Sequence, residues 1–288
     1  MSANNNAIRR TSSSLSDEPR IPRRIVSNLQ LWISTLIRRP RAKAPPAGPG
    51  AFIVFAGAVA VIIASMFLLD ARASEWARHL PPSLMELGDR ISDFGRSSIF
   101  LYPLGFFLLV LAALTRRSLP PAPRGILEIF AARAGFLFVA IGLPSLFDTI
   151  IKRLIGRARP YVGTHDDPFA YMPFIWRADY ASMPSGHSTT AAAAAIAIGA
   201  IWPRARPVVW LYALLIMLAR VVMNVHHPSD VIAGALVGVV GALMVRRYFA
   251  VRRLVFFAHD LRALPGPSWL RVKAAIRRIF SQTQARPA

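Results

Sequence analysis

Three short stretches of the sequence hold the residues best suited to chemistry. In the first, Lys152 and Arg159 stand seven apart with Pro160 directly after, and Arg153 and Arg157 lie between them. On a helix continued through this stretch, Lys152 and Arg159 share one face while Arg153 and Arg157 fall on another. Pro160 disfavours helix in the residue before it and predicts the end of that helix. Two cations on one face, closed by a fixed turn, make a clamp for an anion. Asp148, one turn before Lys152, either orients the ammonium or pairs a charge that is costly near hydrocarbon.

The second stretch is SMPSGHSTT, residues 182–190. Pro184, Ser185 and Gly186 predict a turn feeding a helix N-terminus, whose free amides and positive dipole end favour an oxyanion. Gly186 admits a ligand close to the backbone. Ser185 supplies a hydroxyl, and His187 a side chain that exchanges protons near neutral pH. Taken alone, the same letters also fit a capped helix start carrying an interfacial histidine.

The third stretch sets Arg220 six residues before His226, and His226 four before Asp230. Pro228 suits the first turn of a helix, which places His226 just ahead of that helix and Asp230 within its first turn. A carboxylate there accepts the proton of one imidazole nitrogen, fixes the tautomer and leaves the other nitrogen as a nucleophile. Arg220 is expensive at the end of an apolar segment unless it faces a polar cavity, an anion or a salt-bridge partner.

The elements that must carry these residues are set by composition. A chain of 288 residues that is 54% hydrophobic and 17% charged is too apolar for an ordinary soluble domain and reads as a membrane protein. Its 35 Lys+Arg against 14 Asp+Glu give a formal net charge of +21, which suits nucleic acid, an anionic membrane surface or an anionic substrate. The basic residues cluster in short groups around apolar segments, and no nucleic-acid-binding motif accompanies them, so no nucleic-acid partner is expected. With no cysteine, disulfides, thiolate metal sites and cysteine nucleophiles are excluded.

Six apolar segments are predicted to cross the bilayer as helices, at residues 51–69, 99–114, 126–151, 187–202, 208–225 and 231–245. The shortest needs help from flanking residues to span. The first lies behind a long polar region and reads as a retained span, not a cleaved signal. Basic residues crowd both tails, from Arg9 to Lys43 and from Arg246 to Arg286, and recur at Arg116, Arg117, Arg124, Arg204 and Arg206. The positive-inside rule then puts both termini in the cytoplasm and residues 70–98, 152–186 and 226–230 outside. The basic run from Lys152 to Arg159 falls on the side where anchoring charge is not expected, which favours an anion site over a membrane anchor.

The three stretches read K-x6-R-P, P-S-G-H and R-x5-H-x3-D, in order and at these spacings. Together they resemble the signature of the type 2 phosphatidic acid phosphatases, the superfamily that also holds bacterial acid phosphatases and vanadium haloperoxidases. The resemblance covers the chain from the third span to the sixth, and it departs at Ala219, where the family's third stretch usually has serine. It implies an all-α integral membrane protein, a six transmembrane helix bundle with its active site at the outer, periplasmic face. It implies that His226 attacks phosphorus to form a phosphohistidine, that Asp230 holds its other ring nitrogen, and that His187 protonates the leaving oxygen and then activates water. Lys152, Arg159, Arg220, the Ser185 hydroxyl and the Gly186 amide then bind the phosphoryl oxygens, with no metal or other cofactor needed. His227 is read as a bystander, and Arg153 and Arg157 as headgroup contacts.

The expected organisation is a basic cytoplasmic region at 1–50, a membrane phosphatase domain at 51–245 and a basic tail at 246–288. The polar first twenty residues are expected to be disordered. Apolar residues at helical spacing, Ile25 to Ile37 and Trp269 to Ile279, predict amphipathic helices that lie on the inner leaflet or pack on the bundle. Leu84, Leu87, Ile91 and Phe94 predict an interfacial helix on the outer side. The expected substrate is a membrane lipid phosphate: undecaprenyl diphosphate, phosphatidic acid, phosphatidylglycerol phosphate or lipid A phosphate, in a bacterial inner membrane. The loop at 162–183 carries no group that selects among them. The competing readings are a lipid phosphotransferase using the same phosphohistidine, a vanadate-dependent haloperoxidase, and a non-catalytic anion-binding or transport protein.

Overall fold

The structure is a computed structural model that describes residues 19–43, 46, 48–162 and 167–284. The disorder expected at the start of the chain therefore falls outside the described residues, apart from Pro19 and Arg20, as does part of the loop at 162–183. Among the described residues ten α-helices follow one another: α1 Ile21–Arg38, α2 Pro49–Leu68, α3 Asp70–Arg78, α4 Pro82–Asp93, α5 Ser97–Leu114, α6 Pro121–Ile155, α7 Gly186–Ile201, α8 Arg206–Val222, α9 Pro228–Val251 and α10 Trp269–Gln284. Among the described residues there is no strand beyond two isolated bridges.

Among the described residues five helical stretches are long and apolar enough to cross a membrane: Pro49–Leu68, Pro82–Leu114, Pro121–Ile155, Pro203–Val222 and Pro228–Val251. The remaining expected span is α7, whose 16 residues rise only about 24 Å against a hydrocarbon core of about 30 Å. Pro203 restricts Trp202 before it, which ends α7 early. The compensation is position. α7 packs against α6, α8 and α9, and residues 188–195 are all buried, so this helix is the centre of the bundle. By contrast α2 buries only Ile62 and Ser65 and leaves Phe52, Ile53, Val54 and Phe67 exposed. A helix apolar all round with its side chains turned outward has lipid for its solvent, and the chain is an all-helical integral membrane protein.

Small residues let α9 approach α7. A Cβ on Gly234 would stand 2.4 Å from the Ser185 carbonyl oxygen, and one on Gly238 would stand 2.3 Å from that of Thr189. Both neighbours are backbone and cannot yield, so the two glycines set the distance between the helices that carry the second and third motifs.

Both amphipathic helices pack on the bundle, at the end away from the C-terminus of α6. Asn28 Nδ2 on α1 donates to the carbonyls of Ala112 and Thr115 at 2.8 and 2.7 Å, satisfying the open end of α5. Trp32 packs there with Leu111, Leu119, Leu127 and Ile279 of α10. Ile21, Val26, Ile33 and Ile37 of α1 remain exposed, so the helix keeps a second apolar face. α4 packs on α8, with Ile91 against the buried core and Leu84, Leu87 and Phe94 exposed.

Candidate active site

The helix carrying Lys152 does not run on to Arg159. It stops at Ile155, and Gly156 takes a left-handed conformation at φ 64°. Its N–H donates to the Lys152 carbonyl at 3.0 Å, a glycine C-cap that closes the helix four residues before Pro160. A Cβ at Gly156 would lie 1.9 Å from the Met172 carbonyl oxygen, so the returning loop also requires glycine here. The shared helical face expected for Lys152 and Arg159 is thus replaced by a turn. The same turn separates Arg153 from Arg157, which were expected to lie together.

Lys152 sits 2.5 Å from Asp148 Oδ2, and Thr189 Oγ1 donates to Asp148 Oδ1 at 3.1 Å. A Cβ on Gly186 would stand 2.9 Å from Lys152 Nζ. The ammonium therefore rests against the first residue of α7, where free amides already favour an anion. Ser185, just before that helix, donates its N–H to the Asp230 carbonyl at 3.0 Å, which ties the second motif to the third. Ser185 Oγ is buried without a hydrogen-bond partner among the described residues, and so is Arg220 Nε. Two unpartnered polar groups of this kind, beside an ammonium and a helix N-terminus, are what an oxyanion would satisfy. Arg220 Nη1 donates to Ser92 Oγ of α4 at 2.5 Å. The charges of Arg220 and Lys152 both act on His187, so the second motif lies among the cations of the first and third.

His226 is buried, with Nδ1 3.8 Å from Asp230 Oδ2, longer than a hydrogen bond. Burial pushes its pKa down to about 4, against the upward pull of Asp230 and with a further downward push from Arg220 and Arg159. The ring is neutral at pH 7. His227 is not the bystander expected from spacing. It is buried at the N-cap of α9, donates its N–H to Asp230 Oδ2 at 2.9 Å, and places its own Nδ1 3.3 Å from the same oxygen. The physical reason is the capping box, in which the N3 carboxylate reaches back to the N-cap residue. Asp230 thus serves the helix end and faces both imidazoles.

Arg157 differs most from expectation. It is fully buried, not a headgroup contact. Its Nη1 donates to Asp230 Oδ1 and to Ser229 Oγ, both at 2.6 Å; its Nη2 donates to Asp70 Oδ2 at 2.7 Å and to the Pro168 carbonyl at 2.8 Å. Burial opposes the charge, but Asp230 and Asp70 hold its pKa above the ordinary guanidinium value. Ser182 Oγ completes the set by donating to Asp230 Oδ2 at 2.6 Å. Asp70, Ser182 and Ser229 were not singled out by sequence reasoning, since nothing in their spacing distinguishes them from surface polar residues. Arg153 Nη1 and Arg159 Nε hold the loop, donating to the carbonyls of Arg177 and Ala178 at 2.8 and 3.1 Å, while the charge of Arg159 still acts at His226 and Arg220.

The fold and this polar site define an integral membrane protein with a buried histidine–carboxylate centre beside an ammonium and two unpartnered buried polar groups. A family model described as the PAP2 superfamily matches residues 133–254, which hold all three motifs. A lipid A 1-phosphatase of Rhizobium johnstonii is 32% identical over 196 residues, 68% of this chain and 79% of that protein. A decaprenylphosphoryl-5-phosphoribose phosphatase of Mycobacterium tuberculosis is 33% identical over 189 residues, 65% of this chain and 89% of that protein. The crystal structure of Aquifex aeolicus LpxE aligns at a TM-score of 0.45 and 22% identity, covering 62% of this chain and 95% of that one. The chain belongs to the PAP2 superfamily.

Proposed function

We propose that the protein hydrolyses a phosphate group from a membrane lipid phosphate or diphosphate through a phosphohistidine. The observation that carries this reading is the buried, unpartnered pair of Ser185 Oγ and Arg220 Nε beside a neutral His226. His226, whose Nδ1 faces Asp230, attacks phosphorus through Nε2. The bond from phosphorus to the lipid oxygen breaks, and His187 gives that oxygen its proton. Water then yields a proton to His187 and attacks the phosphohistidine, releasing phosphate and the free imidazole. Lys152, Arg159, Arg220, the Ser185 hydroxyl and the Gly186 amide offset the charge on the phosphoryl oxygens.

In this reading the chain crosses a bacterial inner membrane six times, with α7 as the short central crossing, both basic tails in the cytoplasm and the site in the periplasm; the crowding of basic residues in the two tails supports it. The division into a basic region at 1–50, a membrane domain at 51–245 and a tail at 246–288 follows from the same reading. Because the chain has no cysteine, single cysteines report topology directly. Trp176→Cys in the site loop and Arg204→Cys between α7 and α8, both at exposed positions, are expected to react with an impermeant maleimide from opposite sides. Labelling of both from one side would overturn the arrangement.

The activity is tested by phosphate release from the purified full chain in detergent, with no added acceptor lipid and with EDTA present. The relatives' names put lipid A and polyprenyl substrates first in the screen, followed by phosphatidic acid and phosphatidylglycerol phosphate. Release from at least one lipid, lost in His187→Ala, is the expected result. Turnover only when an acceptor lipid is supplied would make the protein a phosphotransferase.

A further inference from the structure

Of the three buried carboxylates among the described residues, Asp70 alone lies outside the three motifs and outside residues 133–254. It stands at the start of α3, directly after the first membrane helix. Its Oδ1 accepts the Ser229 N–H at 3.0 Å, and its Oδ2 accepts both the Ser229 hydroxyl and Arg157 Nη2. Arg157 Nη1 in turn donates to Ser229 Oγ and to Asp230 Oδ1. Asp70, Arg157 and Ser229 therefore close a ring of hydrogen bonds, with no water-accessible member, directly behind Asp230.

We propose that Asp70 is a positioning residue for the phosphoryl-transfer step, an inference that rests on the phosphohistidine reading. Arg157 occupies Oδ1 of Asp230, which leaves Oδ2 to face the histidines. Asp70 fixes the orientation of the Arg157 fork, and through Ser229 it also fixes the first turn of α9, from which His226 hangs. With Asp230 included, two carboxylates face one guanidinium and leave the network with excess negative charge. That charge opposes Arg159 and Arg220 at His226 and steadies the imidazole as its positive charge develops during attack. The acid comes from a different helix, 159 residues from Ser229 in sequence. The helix that follows the first span thus takes part in the chemistry without touching substrate.

Asp70→Asn keeps the size of the side chain and removes its charge; Ser229→Ala removes one hydroxyl of the ring. Both are measured as full chains in detergent for kcat and KM on the lipid found in the screen, and for inhibition by orthovanadate as a probe of the anion cradle. The expected result is a fall in kcat of about 10- to 100-fold, the scale seen when a partner that orients a reacting group is lost, with KM and orthovanadate inhibition unchanged. Wild-type kcat in both folded variants would overturn the proposal. So would a parallel loss of kcat and orthovanadate inhibition in both, because that is the mark of general damage to the site. If Asp70→Asn does not fold, the kcat of Ser229→Ala alone decides between these outcomes. Failure of the underlying reading is distinguished by His226→Ala: hydrolysis retained there removes the phosphohistidine, whatever Asp70→Asn does.

Discussion

Replacing His226 with alanine is expected to lower lipid-phosphate hydrolysis by on the order of 10⁴-fold or more, the scale seen when a nucleophile that works as part of a unit is removed. The cations and the Ser185 hydroxyl stay in place, so orthovanadate still inhibits any residual turnover. His226→Ala also yields no acid-labile phosphoenzyme from a substrate with a good leaving group, whereas wild type does. Hydrolysis at the wild-type rate in this variant would sink the mechanism and revive His227 as a candidate, since its Nδ1 is nearer Asp230. The same residue predicts a pH effect on folding. The ring's pKa is pushed from 6.5 to about 4 in the folded chain, so between those values the unfolded chain binds the proton first. The contribution to stability is complete above about pH 6.5 and is lost as pH falls toward 4. Thermal midpoints in detergent should drop across that window, and less steeply in His226→Asn.

Replacing Arg157 with methionine is expected to be the most damaging change to the fold, by about 3–5 kcal/mol. Asp70 and Asp230 would face each other in the interior without the cation between them, and the Pro168 carbonyl would lose its donors. Lysine is a poor replacement, because one ammonium cannot reproduce a fork that meets two carboxylates and a carbonyl at once. The direct check is a comparison of Arg157→Met with the double variant Asp70→Asn/Arg157→Met. Removing one of the two stranded carboxylates should restore part of the lost thermal midpoint, and the coupling between the sites should exceed the few tenths of a kcal/mol typical of independent positions. If Arg157→Met melts like wild type, the buried ion-pair network does not hold the site together.

Much of the architecture was legible because a bilayer forces long apolar helices. The five helices long enough to cross overlap the segments predicted for them, and α7 begins within one residue of expectation. The pieces of the site were legible for a related reason. A proline or glycine fixes the backbone locally, so Gly186 and Pro228 announce helix starts without any tertiary information. Spacing failed where a helix was assumed to continue. Gly156 lies inside the K-x6-R-P stretch, and its left-handed turn sends Arg157 inward instead of out to the headgroups.

By itself the sequence determined the membrane class, the helices and the histidine, serine and cationic groups available for phosphate chemistry. These properties depend on hydropathy, on backbone restriction and on side-chain type, all of which act over a few residues. Only the tertiary structure decided the partners of Asp230, the burial of His227 and the role open to Asp70. Such contacts join residues up to 159 apart in the chain, and no local pattern records which charge an interior will bring together. The balance of a buried network depends on that meeting: two carboxylates and one guanidinium can be kept from water only when each finds the other at hydrogen-bond distance.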